Sequence, residues 1–187
     1  MLHGMNTYII LLRAVMPTGK NKVPMAPLRT VLEQAGLASV RTYIQSGNVV
    51  AVSDLEQSAL ETLVHDVIAR EFGGDITVLA RSVSYFQTLL ARNPFANADP
   101  AQLYFTLLAG IPEPQLVAAF LAQDHAPAQV QVIDDMVYIL CATSYSDTRA
   151  NNTFIERRLK LAATTRVYKT IAKVVALGVE TEQAMLQ

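Results

Sequence analysis

Arg13, Lys20 and Lys22 bring three positive charges into the segment just before Pro24, a residue type suited to the first turn of a helix. Cationic side chains beside the unsatisfied N–H groups of a helix start are an arrangement that holds a phosphate or a carboxylate. Gln45, Ser46 and Asn48 flank Gly47 in a short polar turn and add side-chain donors and acceptors. A third basic cluster comes late in the chain. Arg166, Lys169 and Lys173 recur at helical spacing, which predicts one shared face beside Tyr168, with Arg157, Arg158 and Lys160 upstream. Such a face could follow a nucleic-acid backbone. Each cluster also has a plainer reading. Ser-Gly-Asn is what a tight hairpin demands, and loop lysines are commonly solvated.

Motifs for catalysis are missing. Gly19-Lys20 has no glycine five residues earlier, and Asn21 stands where a phosphate loop needs Ser or Thr. Ser46-Gly47 lacks the preceding glycine of a nucleophile elbow. His3, His65 and His125 are scattered without metal-ligand spacing, so no metal site and no cofactor is expected. Asp134-Asp135 reads as a turn. The single cysteine, Cys141, sits in an apolar strand pattern and reads as a small buried hydrophobe.

The elements that must position these residues follow a regular order. Thr7–Arg13 reads as a central strand, and Met25, Leu28, Leu32 and Ala35 give a helix stripe closed by Gly36. Val40–Gln45 and Val49–Val52 are strands around the Ser46-Gly47-Asn48 hairpin. A helix follows with a capping box at Asp54/Gln57 or Ser53/Glu56, and then the strand Ile76–Ala80. The order is β-α-β-β-α-β, a ferredoxin-like arrangement. After a helix at Ser82–Ala91 the same order recurs, with strands at Leu103–Leu108, Val130–Ile133, Val137–Cys141 and a short segment at Thr164–Arg166. A helix starts near Pro112, another spans Thr153–Leu161 with a Thr153/Glu156 box, and a last one, Tyr168–Leu177, stops at Gly178 before a frayed tail. The fold expected is α+β: two ferredoxin-like lobes packed as one compact unit, 1–81 and 82–187, with antiparallel or mixed sheets and helices on one face.

That topology puts the loop leaving the first strand and the hairpin between the second and third at the same end of one sheet. Arg13–Lys22 is therefore expected near Ser46–Asn48. The equivalent end of the second lobe carries Ala109-Gly110 and Asp134-Asp135, which would repel an anion.

Composition sets the class. The 187 residues are 51% hydrophobic and 17% charged, enough for a packed core, and the formal net charge is −1. Charge is segregated: residues 1–41 hold five Arg/Lys against one Glu, residues 144–173 hold seven basic against two acidic, and residues 42–143 reverse the balance. A basic surface on a neutral protein is one consequence. No apolar run approaches the roughly 18 residues a membrane span needs, and one cysteine fits a reducing compartment. The expectation is a cytoplasmic protein.

The runs LLR (11–13), Gly19, KVPMAPLR (22–29) and TYIQSGNVV (42–50), with NPF (93–95), FIERRL (154–159) and TTR (164–166), resemble the domain-of-unknown-function family 1697, found mainly in bacteria. The resemblance implies ferredoxin-like lobes and brings no activity or cofactor. The family reads LLRGINVGG where this chain has LLRAVMPTG, so Ala14, Met16, Pro17 and Thr18 are departures that weaken a backbone anion cradle. It reads TRNWNT where this chain has TRVYKT (165–170), with Val167, Tyr168 and Lys169 replacing Asn, Trp and Asn.

The functional expectation is a binding protein for an anionic ligand, a phosphate-bearing small molecule or nucleic acid, through Arg13, Lys20, Lys22, Gln45, Ser46, Asn48, Arg166 and Lys169. The alternatives are a small-molecule enzyme in a cleft between the lobes and a protein-interaction module such as a homodimer.

Overall fold

The apolar run Asn6–Leu12 forms β1, which pairs antiparallel with β3 (Asn48–Ser53) on one side and β4 (Val78–Ser82) on the other. β2 (Ala38–Tyr43) lies outside β3, giving the order β2-β3-β1-β4. β1 and β3 are buried on both faces, which is why they read as continuous apolar runs rather than alternating ones. α1 (Met25–Gln34) joins β1 to β2, and α2 (Gln57–Phe72) joins β3 to β4. Tyr8, Ile10 and Leu12 meet Leu28 and Leu32 of α1 and Leu60, Val64 and Ile68 of α2 in one core. The computed structural model describes residues 4–187; His3 lies outside them.

The order then repeats. β5 (Leu103–Leu108) pairs with β7 (Met136–Leu140) and β8 (Ala163–Val167), and β6 (Gln129–Ile133) pairs with β7, giving β6-β7-β5-β8. α4 (Pro114–Leu121) and α5 (Asn152–Leu159) hold the places of α1 and α2. α3 (Val83–Ala91) follows β4 directly, and α6 (Tyr168–Met185) follows β8 directly. Both lobes are therefore ferredoxin-like, each with a four-stranded sheet whose pairings are all antiparallel. The likeness reaches single hydrogen bonds. Leu12 N–H donates to the Gly47 carbonyl and Leu108 N–H to the Asp135 carbonyl, both at 2.8 Å. Arg13 N–H donates to Thr77 and Ala109 N–H to Ala162 in the corresponding places. Two compact units result: residues up to Thr88 together with Lys173–Gln187, and Leu89–Ala172.

Three local expectations are corrected. Neither capping box forms before α2: Ser53 Oγ accepts the Leu55 N–H, and Glu56 holds the cap position without a side-chain bond. At α5 the cap is Asn151, whose Oδ1 accepts the Phe154 N–H at 3.0 Å, while Glu156 is drawn away to the Ala163 N–H at 2.9 Å. The last helix does not stop at Gly178. It continues to Met185, because Gly178 serves close packing: a Cβ there would lie 2.7 Å from Val83 Cγ2. The tail is held further by Thr181 Oγ1 donating to Leu177 and by the Arg41–Glu180 ion pair.

Candidate functional site

The sheet edge predicted from topology is assembled within the first unit. The hairpin turn lies against the end of β1, with Gly47 at φ +83° facing Leu12 and Val15. Asn48 is 1% exposed, and its Nδ2 donates to the Tyr43 carbonyl at 3.0 Å and to Ser46 Oγ at 2.9 Å. Gln45 Nε2 donates to the Val23 carbonyl at 3.1 Å, tying the hairpin to the residue before Pro24. These side chains thus hold the edge together, the role a hairpin asks of them.

The loop leaving β1 is shaped by its own backbone. Met16 N–H donates to Asn21 and Lys22 N–H to Gly19, and Ala14 and Gly19 take positive φ of 59° and 79°. Lys20 and Lys22 are exposed, and among the described residues neither has a carboxylate partner. Arg13 is half-buried. The helix start behind them is poorer in donors than expected. Pro24 caps α1 and Pro27 lies in its first turn, so Met25 and Ala26 carry the remaining leading N–H groups. Met16 and Ile44, each 53% exposed, make the edge apolar as well as basic.

Arg166 and Lys169 belong to the second unit. Arg166 lies on β8, not on a helix, so the face expected for Arg166, Lys169 and Lys173 is not formed. Its Nη1 donates to Thr164 Oγ1 at 2.8 Å and to the Thr165 carbonyl at 2.9 Å, and burial pulls the guanidinium pKa down to about 10. Lys169 is exposed in the first turn of α6. Asp134 pairs with Arg92 at the hairpin of this lobe, and Asp135 is buried.

The second unit also holds an open groove of about 870 Å³ that sequence reasoning missed. Arg149, Arg157 and Arg158 line it, with Asp124, Tyr145 and Phe154. The arginine pair Arg157-Arg158 was visible as a charge run. Its concave setting was not, because Asp124 and Arg149 come from other segments.

The remaining candidates are structural. Burial pushes the Cys141 thiol pKa up, which disfavours the thiolate a nucleophile needs. His65 pairs with Asp66 and Asp75 on the surface, and His125 donates from Nε2 to the Phe120 carbonyl at 2.8 Å. Among the described residues no three His, Cys, Asp or Glu side chains come together as a metal ion would require, and no helix is long and apolar enough to cross a membrane.

Comparison with known proteins agrees with this architecture. A solved structure, that of the conserved bacterial protein SP0830 from Streptococcus pneumoniae, superposes with a TM-score of 0.76 at 25% identity, covering 93% of this chain and 99% of that one. Curated proteins offer no match. The family model described as "Protein of unknown function (DUF1697)" matches residues 5–138, a span that takes in the whole loop–hairpin edge, and the chain belongs to that family.

Proposed function

We propose that this chain is a cytoplasmic binding protein for a phosphate-bearing ligand, contacted at the loop–hairpin edge of the first unit. The observation that carries the reading is the pair Lys20 and Lys22: both are exposed and without a local carboxylate, on a loop whose backbone is closed on itself. The hairpin bond from Leu12 N–H to Gly47 braces that loop from below. Two ammonium groups in solvent hold an anion through charge more than through shape, so affinity should fall as salt rises. The apolar Met16 and Ile44 beside them favour a ligand with a non-polar part as well as a phosphate. A lone buried thiol at Cys141 is in keeping with the reducing cytoplasm.

The test is a thermal-shift panel of sugar phosphates, nucleotides and short oligonucleotides at low and moderate salt. A ligand at about 100 times its dissociation constant stabilises the native state by about 2.7 kcal/mol, a measurable shift. The shift should weaken with salt and shrink in the Lys20→Ala/Lys22→Ala double variant. A flat panel, or a shift the double variant leaves undiminished, overturns the reading.

A further inference from the structure

We infer that the groove of the second unit is a separate binding site for a small ligand carrying two or more phosphates. Its positive charge is concentrated and in excess, three arginines against one carboxylate. Arg149, Arg157 and Arg158 have no carboxylate partner among the described residues, and the one carboxylate lining the groove, Asp124, accepts the Ala126 N–H through Oδ1.

Two of the arginines are also held in place. The Arg157 and Arg158 guanidinium carbons lie 5.4 and 5.1 Å from the centroid of the same Phe154 ring. That ring is fixed in turn against Phe120 and His125, with centroids 6.2 and 6.4 Å away. Two like charges on one aromatic platform repel each other. An anion in the groove removes that repulsion and meets guanidinium forks whose planar geometry matches phosphate oxygens. The polar neighbours are already used: Asn151 caps α5, and Asn152 bonds Ala163 and Thr165. Recognition therefore falls to the arginines and not to the helix end.

Size chooses between ligand classes. A volume of about 870 Å³ lies in the range of small-molecule sites, and three arginines lining it suit a compact polyanion. This site does not depend on the loop–hairpin edge.

The experiment is calorimetric titration of the intact chain with inorganic phosphate, tripolyphosphate, a nucleoside triphosphate and a ten-nucleotide oligomer, at low and moderate salt. Tripolyphosphate and the nucleoside triphosphate should bind more tightly than phosphate. Arg157→Gln/Arg158→Gln should weaken them by at least about tenfold, the equivalent of one charge-assisted hydrogen bond. Because those arginines pack on Phe154, Arg149→Gln provides a second variant away from the ring, and it should also weaken binding. Each arginine variant is also read in the Lys20→Ala/Lys22→Ala background, where the loop–hairpin edge contributes no binding and the groove's affinity for tripolyphosphate should still fall. Absence of tripolyphosphate binding, wild-type affinity in both arginine variants, or binding of the oligomer alone would each overturn the proposal.

Discussion

Gly47 and Leu12 are joined twice: the Leu12 N–H donates to the Gly47 carbonyl at 2.8 Å, and a Cβ on Gly47 would lie 2.8 Å from Leu12 Cβ. This contact seats the hairpin on the end of β1 and sets the edge where Lys20 and Lys22 stand. The same backbone bond, Leu108 to Asp135, recurs in the second lobe, but there the partner position is occupied by a carboxylate residue.

Replacing Gly47 with alanine should therefore be costly. The position has φ +83°, and the new methyl would also meet Val15 Cγ2 at 2.8 Å. Left-handed strain and overpacking together should remove about 2–4 kcal/mol, read as a lower urea midpoint. A change below about 0.5 kcal/mol, the range of an ordinary surface substitution, would contradict the packing described.

Ala14 has the opposite prospect. It adopts φ +59°, a left-handed conformation that glycine takes without strain. Relief of the left-handed strain outweighs the extra freedom of glycine in the unfolded chain, so Ala14→Gly should gain about 0.5–1 kcal/mol. Chemical denaturation measures it directly.

Asn151 and Thr153 separate two cap registers. Asn151→Ala removes the side-chain acceptor for Phe154 N–H and should cost about 1 kcal/mol, whereas Thr153→Ala should be nearly neutral. Equal losses would restore the register that sequence spacing suggested.

Tyr138 should make the protein labile in alkali. Burial pushes its hydroxyl pKa up to about 12, with Asp134 and Asp135 adding to the rise and Arg92 opposing it, and the hydroxyl donates to the Leu89 carbonyl. The unfolded tyrosine ionises near its ordinary value of 10.0, so between there and about 12 the unfolded chain binds fewer protons. Stability contributed by the neutral hydroxyl is present below pH 10 and falls as pH rises through that window. Ultraviolet titration should show late tyrosinate formation, and Tyr138→Phe should remove the last step.

His65 sits between Asp66 Oδ1 at 3.0 Å and Asp75 Oδ1 at 3.1 Å, and its hydrogen bonds to those carboxylates raise its pKa. The pairing contributes below the ordinary histidine value of 6.5 and is lost as pH rises through the raised one. Proton NMR should find the His65 titration above the ordinary value, and Asp75→Asn should move it back toward that value.

Much of the architecture was legible in residue order. Apolar runs such as Thr7–Arg13, turn residues at Ser46-Gly47-Asn48 and periodic stripes such as Leu28 and Leu32 are local signals, and each element they mark is present. Local signals mislead where a distant partner intervenes. Gly178 reads as a helix stop, yet Val83 makes it a packing glycine inside α6. Thr153 and Glu156 read as a capping box, yet Ala163 takes the glutamate.

The same division holds for the chemistry. Residue types and spacing by themselves determined the β-α-β-β-α-β order, the segregation of charge and the candidacy of Lys20 and Lys22. Only the tertiary structure decided that Gln45 and Asn48 brace the hairpin, that the Arg166 guanidinium is buried against Thr164 and Thr165, and that Arg149 shares a groove with Arg157 and Arg158. Hydrophobic periodicity reports the face a segment buries, whereas hydrogen-bond partners and concavity arise when segments far apart in sequence meet, which no local pattern encodes.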